Sequence, residues 1–263
     1  MSVLEVKGLL NKILKWRVSK VSKTIYITSG KGGTGKSTFV ANLGLTLAYM
    51  GKRVILLDMN MGMRDLDLYI GVQNEAIFDI YDVIMRTCEP RDAIIHSNFT
   101  DRLSIIPAHQ GGNWIDISRA DIDELIEHLK SEYDVVIMDG APGINRAVDL
   151  CHSSADEVII VTTPDYAAIR DADAIEDRLI KCEIMNRHYV INRMIPVAED
   201  LGCGPGLAEI DLRFRSELLG VIMEDDNIRA SCNIGIPIVA KRDTYIARNF
   251  NKIAERVIRE ILQ

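Results

Sequence analysis

One segment restricts the folds open to this 263-residue chain more than any other. It is Gly-Lys-Gly-Gly-Thr-Gly-Lys-Ser at residues 30–37, which fits the pattern G-x-x-x-x-G-K-[ST]. A β-branched apolar run at 24–28 precedes it, and a helix-like segment at 38–50 follows it. Four glycines allow successive backbone N–H groups to face inward, and the helix adds the positive end of its dipole. The order strand, glycine loop, helix therefore predicts a phosphate-binding loop.

The residue types in this loop predict its contacts to a nucleoside triphosphate. We expect Lys36 to reach the β- and γ-phosphates, and the Ser37 hydroxyl to bind Mg²⁺. The other predicted binding residues are the neighbouring positions Gly30, Lys31, Gly32, Gly33, Thr34, Gly35 and Thr38.

Lys31 is a second lysine that an ordinary phosphate loop does not need. Its cation can bind the phosphates of its own chain, or it can reach those of a facing subunit and offset the charge on the transferred phosphoryl group. A solvated surface lysine is the alternative.

Apolar strand-like runs alternate with helix-like segments along the rest of the chain. The further strand candidates are residues 53–57, 103–106, 135–138, 158–162, 189–191 and 218–222. The further helix candidates are residues 121–132, 165–181 and 244–263. This alternation predicts an α/β fold, a doubly wound and mostly parallel sheet of the P-loop NTPase type, in a single domain. Polar clusters follow three strands at 30–37, 58–67 and 139–145, so we expect them to meet at the carboxyl edge of the sheet.

Charge and cysteine content exclude several other classes. The chain has a net charge of −7, but residues 1–23 carry +5 and the remainder carries −12, which argues against nucleic acid as a partner. The five cysteines lack C-x-x-C spacing and the histidines lack H-x-x-H spacing. These patterns predict neither a disulfide framework nor a metal role for these residues, and they favour a reducing cytosol.

Several segments together resemble the MinD/ParA family of ATP-dependent dimerising switches, and in particular its MinD members. They are the loop with its additional lysine and residues 56–68, 135–144, 162–173, 191–193 and 220–231. The similarity runs in order over about residues 23–263. It implies that ATP and Mg²⁺ are the cofactors.

The resemblance also assigns roles to residues outside the loop. Asp58 is similar to the first aspartate of the family's switch I, near the metal and the attacking water, and Asp139 to the Walker B acid that holds Mg²⁺ through a water. From the residue alone, Asp139 can also be a helix N-cap. Ser37, Asp58 and Asp139 are thus the predicted metal residues. Asn192 matches the residue that contacts adenine, although a structural asparagine turn is the alternative.

Asn60 departs from the family pattern. Relatives usually have a second aspartate here that orients the water, and together with Lys31, Lys36 and Asp58 this position makes up the predicted catalytic set. An amide accepts a hydrogen bond from water but cannot take its proton, so the sequence predicts hydrolysis that is slow rather than abolished.

Residues 3–16 have the pattern of a basic amphipathic helix. The apolar side chains lie within one arc and Lys7, Asn11, Lys12 and Lys15 lie opposite. We predict a membrane-targeting helix at 1–22, which binds an anionic bilayer surface, followed by an ATPase domain at 23–263. The alternative is a helix that docks on the domain or on a protein partner. In the family such a helix lies at the C-terminus, whereas here the last residues read as the closing helix of the domain.

These expectations combine into one functional prediction. The chain is predicted to be a monomer with ADP and a homodimer with ATP, and to move between the cytoplasm and the inner face of the cell membrane. In this role it would position division or cell-pole machinery with an activating or cargo protein. The alternatives are a ParA-type or flagellar-positioning ATPase and a slowly hydrolysing membrane scaffold held together by ATP.

Overall fold

The computed structural model describes residues 22–111, 117–144, 146–195 and 204–263. The predicted amphipathic segment 3–16 lies outside the described residues. Within them, no helix is both long and apolar enough to pass through a bilayer.

The described residues form one eight-stranded sheet. Its strands are β1 (Lys23–Thr28), β2 (Val54–Asp58), β3 (Ile95–His96), β4 (Leu103–Ile106), β5 (Val135–Asp139), β6 (Glu157–Thr162), β7 (Arg187–Met194) and β8 (Glu217–Met223). Their spatial order is β3-β4-β2-β5-β1-β6-β7-β8. Every neighbouring pair is parallel except β3 with β4. Strand order reverses at β1, so the loop after β1 opens at a switch point, where such sheets bind ligands.

Helices cover both faces of this sheet. They are α1 (Lys36–Tyr49), α2 (Leu66–Tyr69), α3 (Ile80–Ile84), α4 (Pro90–Ala93), α5 (Arg119–Lys130), α6 (Arg146–Cys151), α7 (Tyr166–Lys181), α8 (Leu207–Asp211), α9 (Asp226–Asn233) and α10 (Tyr245–Glu260). Short 3₁₀ turns occur at His152–Ser154 and Ile238–Ala240.

The core lies in two layers, one on each face of the sheet. On the first face α1 packs against α10, where the rings of Phe39 and Phe250 lie 6.1 Å apart between centroids. On the second face α5 and α7 cover the sheet with residues such as Leu125 and Leu179. Each fully buried side chain of this size contributes about 1.5–3 kcal/mol of transfer free energy. Because both faces are covered, all five residues of β2 and of β5 are buried, which explains their continuous apolar runs.

The seven strands and four helices predicted from the sequence are confirmed, with shifts of a few residues at their ends. Two of these shifts matter for the site. Helix α1 begins at Lys36 rather than at 38, and β7 extends to Met194, so Asn192 lies inside the strand rather than at its end. The short antiparallel strand β3 was not predicted, because two residues carry no periodic signal.

Candidate nucleotide-binding site

The glycine loop connects β1 to an α1 helix whose N-terminus is left open. Its N-cap residue is Gly35, in the left-handed region at φ +88°, and no side chain caps the first turn. By contrast, side chains of Ser118, Asp165 and Thr244 cap α5, α7 and α10. The first N–H groups of α1 have no intrahelical acceptor. They remain available, with the helix dipole, to an anion such as a phosphate.

Asn192 fixes the shape of the same loop. Its Nδ2 donates to the Thr34 carbonyl oxygen at 2.8 Å, across 158 positions of sequence. A Cβ on Gly35 would meet this Nδ2 at 2.2 Å and displace the amide, and the positive φ of Gly35 is also one that favours glycine. Sequence reasoning assigned Asn192 to the base and did not find this contact.

Two carboxylates stand side by side at the carboxyl ends of adjacent strands. Asp58 ends β2 and Asp139 ends β5, the two are register partners, and each is about 1% exposed. Asp58 accepts hydrogen bonds from the backbone N–H groups of Asn60 at 2.9 Å and Leu66 at 3.3 Å. It thereby holds the segment that the resemblance identifies as switch I.

Asp139 has fewer partners. Lys36 Nζ lies 4.0 Å from its Oδ1. Among the described residues no donor reaches either oxygen in good hydrogen-bonding geometry, although the Ser37 hydroxyl is close enough to lower the pKa of this carboxyl. An under-bonded buried carboxylate beside a second carboxylate and a hydroxyl is an all-oxygen donor set, the kind that Mg²⁺ prefers.

Burial controls the charge of this pair. Desolvation and the charge of Asp139 raise the pKa of Asp58 to about 8, against the opposing effect of the two backbone N–H groups. Desolvation also raises the pKa of Asp139, and Lys36 and Ser37 oppose this. Two adjacent buried acids, of which only Asp139 has the ammonium group of Lys36 nearby, favour binding of a further cation.

Lys31 lies apart from these carboxylates, on the rim of the loop. Its side chain is 41% exposed and its Nζ lies 3.2 Å from Oδ1 of Asp165. Burial acts to raise the pKa of Asp165. Hydrogen bonds from Thr163, the Ala168 backbone and Lys31 outweigh this effect and hold the pKa below its ordinary value. The ammonium group has three N–H donors, so the contact to Asp165 leaves others for the phosphate roles considered for Lys31.

The segment after β2 is tied down at several points. Asn60 accepts backbone hydrogen bonds from Met63 and from Arg64, which adopts φ +48°. The Arg64 Nε donates to the buried Asp67 at 2.8 Å. The segment also contacts the loop after β4, where the Gly62 N–H donates to the His109 carbonyl at 2.8 Å. Spacing alone did not single out the Arg64–Asp67 pair.

A cleft of about 210 Å³ opens beside the loop. Its lining includes Gly35, Thr38, Tyr69, Asn192, Asp225 and Cys232. Desolvation raises the pKa of Tyr69 to about 12, so its hydroxyl stays neutral. The cleft lies next to the glycine loop and the first turn of α1, where the base and sugar of a nucleotide would be placed.

Comparison with curated proteins finds relatives along nearly the whole chain. The septum site-determining protein MinD of Bacillus subtilis is 36% identical over 91% of this chain and 90% of its own length. The MinD of Helicobacter pylori is 31% identical over 90% of each.

Solved structures agree with these sequence relatives. The MinC:MinD cell division protein complex of Aquifex aeolicus matches with a TM-score of 0.85 and 30% identity, over 91% of this chain and 97% of that one. MinD of Pyrococcus horikoshii, complexed with Mg-ADP, matches with a TM-score of 0.80 and 29% identity, over 92% and 99%.

Fold and site together define a P-loop nucleoside-triphosphate-binding protein. The AAA domain family model matches residues 22–188, which include the loop and both buried aspartates. The chain belongs to the MinD/ParA family of ATPases, and its similarity to MinD members covers both sequence and structure.

Proposed function

We propose that this chain is a membrane-cycling ATPase of the MinD type that helps to position the division site. ATP would hold two copies together, and hydrolysis would return them to monomers. The observation that carries the proposal is the buried pair Asp58 and Asp139 beside Lys36, below an α1 N-terminus that no side chain caps. The names of the relatives, septum site-determining protein MinD, support the process it serves.

The site residues divide the work of binding and hydrolysis. Ser37, Asp58 and Asp139 would hold Mg²⁺, which when bound offsets the negative charge of the β- and γ-phosphates. Lys36 binds those phosphates, Asp58 fixes switch I through two backbone N–H groups, and Asn60 orients water next to the γ-phosphate. Asn192 has two roles in this proposal. It holds the loop through its hydrogen bond to Thr34, and it also contacts the base.

The rim of the loop supports dimerisation. Lys31 and Ile195 line the same surface cleft, and Ile195 is half exposed, as is Ile144 after β5. A surface lysine with an exposed apolar side chain beside it suits a second copy that brings phosphates. The MinC:MinD complex from Aquifex aeolicus supports a protein partner in addition.

Light scattering and vesicle sedimentation test the proposal. We expect a dimer with ATP and Mg²⁺ and a monomer with ADP. We expect the fraction bound to anionic vesicles to rise about tenfold with ATP, because two anchors on one dimer bind by effective concentration. The chain lacking residues 1–22 should dimerise but stay in the supernatant.

Two substitutions in the predicted anchor provide a matched pair. Ile13→Glu places an acid on the predicted apolar arc, and Asn11→Glu places the same acid on the opposite face. The first should abolish sedimentation and the second should reduce it only slightly. Sedimentation that is independent of nucleotide, or of residues 1–22, contradicts the cycle.

A separate prediction concerns the rate of hydrolysis. Replacing Asn60 by Asp should raise turnover about tenfold under saturating ATP and lipid, because a carboxylate both orients water and accepts its proton. Phosphate release measures this rate. Asn98→Asp adds the same charge at an exposed position bonded to Glu75 and should leave turnover unchanged.

Equal or lower turnover in Asn60→Asp would remove the role given to this position. It would favour the second candidate function, a scaffold that ATP holds on the membrane and that rarely hydrolyses. The observation behind that candidate is the amide at Asn60 itself.

A further inference from the structure

A cluster of metal-ligating side chains lies at the opposite edge of the sheet from the nucleotide site. One ring nitrogen of His188 and one carboxylate oxygen each of Glu217 and Glu260 lie within 4.8 Å of one another. His188 is on β7, Glu217 is on β8 and Glu260 is the last residue of α10. We propose that these three residues form a site for a divalent transition-metal ion such as Zn²⁺.

The sheet register brings the three side chains to one face. His188 and Glu217 are direct partners in the β7–β8 ladder. Helix α10 packs on the same face, where its Ile253 lies against Gly220 of β8. Its C-terminal end therefore reaches the amino ends of these strands, which places Glu260 over the His188–Glu217 pair.

A fourth residue orients the imidazole. His188 Nε2 lies 3.5 Å from Oε2 of Glu157, which is buried on β6. A carboxylate this close to one ring nitrogen favours the tautomer with its proton on that side, which turns the lone pair of the other nitrogen toward a metal. His188 Nδ1 is buried and, among the described residues, has no hydrogen-bond partner, while the whole side chain is 12% exposed. We take Nδ1 as the ligand atom.

The local charges allow a divalent ion. Three glutamates, Glu157, Glu217 and Glu260, surround the imidazole of His188. Arg259 contacts one of these carboxylates, at 2.7 Å from Glu260 Oε1, and Arg256 donates to backbone carbonyls of β8 nearby. The Glu260 carboxylate keeps a second oxygen for a metal.

The donor types select the class of ion. One imidazole and two carboxylates leave an open position for water on a tetrahedral ion, as in sites that bind Zn²⁺. Mg²⁺ prefers oxygen ligands, so a buried imidazole nitrogen favours Zn²⁺ or Co²⁺ over it. An ion here would tie β7, β8 and the end of α10 together.

Calorimetric titration of the full chain with Zn²⁺, without nucleotide and with excess Mg²⁺, tests the proposal. We expect one Zn²⁺ per chain at this site. Glu217→Gln and Glu260→Gln should each weaken that binding about tenfold or more. Glu217 and Glu260 lie at the surface rather than in the core, and glutamine has nearly the same volume as glutamate, so neither substitution empties the core.

Glu255→Gln on α10 is the matched control for Glu260→Gln, and it should bind Zn²⁺ as the unaltered chain does. Zn²⁺ should also raise the melting temperature of the unaltered chain and of Glu255→Gln but not of the two site variants. A Co²⁺ absorption band of tetrahedral type, lost in His188→Gln, is the spectroscopic counterpart. Binding that is equal in all variants, or absent, overturns the proposal. The titration contains no ATP, so its outcome is independent of the ATP-dependent dimer.

Discussion

Replacing Lys36 by Ala is expected to reduce ATP hydrolysis by about 10²–10³-fold. The side chain is the cation nearest to the buried Asp139, and it is the residue that would bind the transferred phosphoryl group. Its loss removes a charge aimed at the position where negative charge develops. Phosphate release at saturating ATP gives the rate, and a fluorescent ATP analogue gives the affinity, which should also fall.

A matched lysine separates this effect from a general change of charge. Lys252→Ala, at an exposed position of α10, should hydrolyse ATP at the unaltered rate. Lys36→Arg keeps the positive charge but not the compact ammonium group. It should therefore preserve the stability of the fold better than it preserves ATP hydrolysis. Unchanged ATP affinity and turnover in Lys36→Ala would contradict the site described above.

Replacing Asp58 by Asn is expected to abolish hydrolysis and, at the same time, to stabilise the nucleotide-free protein at alkaline pH. Burial and the neighbouring Asp139 raise the pKa of Asp58 to about 8, so ionised Asp58 is costly to the fold. The amide removes that cost, which is on the order of a few kcal/mol. The amide keeps only one of the two hydrogen bonds that the carboxylate accepts from backbone N–H groups, because its NH₂ group is a donor and cannot accept.

The direction of the pH dependence follows from this raised pKa. The unfolded chain ionises Asp58 near its ordinary value, whereas the folded chain holds the proton up to about pH 8. This residue therefore contributes stability at low pH, and the contribution is lost as pH rises through that range. Asp58→Asn has no ionisable group at this position, so its stability does not fall for this reason as the pH rises.

Urea unfolding without Mg²⁺ or nucleotide checks the second prediction. Asp58→Asn should exceed the unaltered chain in free energy of unfolding at about pH 9 and lose that advantage at about pH 5. Asp101→Asn, an exposed aspartate outside the site, should show no such crossover. A variant that is less stable at both pH values would show that ionised Asp58 is not costly to the fold.

The sequence was enough to predict the sheet, the phosphate loop and the ends of β2 and β5. These features carry local signals, since apolar runs indicate buried strands and a polar residue at the end of a run indicates the binding edge. The convergence of Asp58, Asp139 and Lys36 followed from the general geometry of parallel sheets and is confirmed by their contacts.

Contacts between distant segments could not be predicted in this way. The hydrogen bond from Asn192 to Thr34 and the Glu157–His188 pair depend on strand order and register, which no local pattern records. The absence of H-x-x-H spacing predicted no metal role for the histidines. That spacing detects only ligands that lie on the same helix or loop. The cluster proposed here takes its ligands from two strands and a helix end.

The bond between Asn192 and Thr34 has a consequence for the timing of the cycle. Both partners belong to the chain itself, so the conformational entropy lost in ordering the glycine loop is lost during folding and not each time that a ligand binds. In the proposed cycle, departure of ADP would leave this hydrogen bond in place, and with it the shape of the loop. Exchange of ADP for ATP would then be limited by the escape of ADP and not by reforming of the loop.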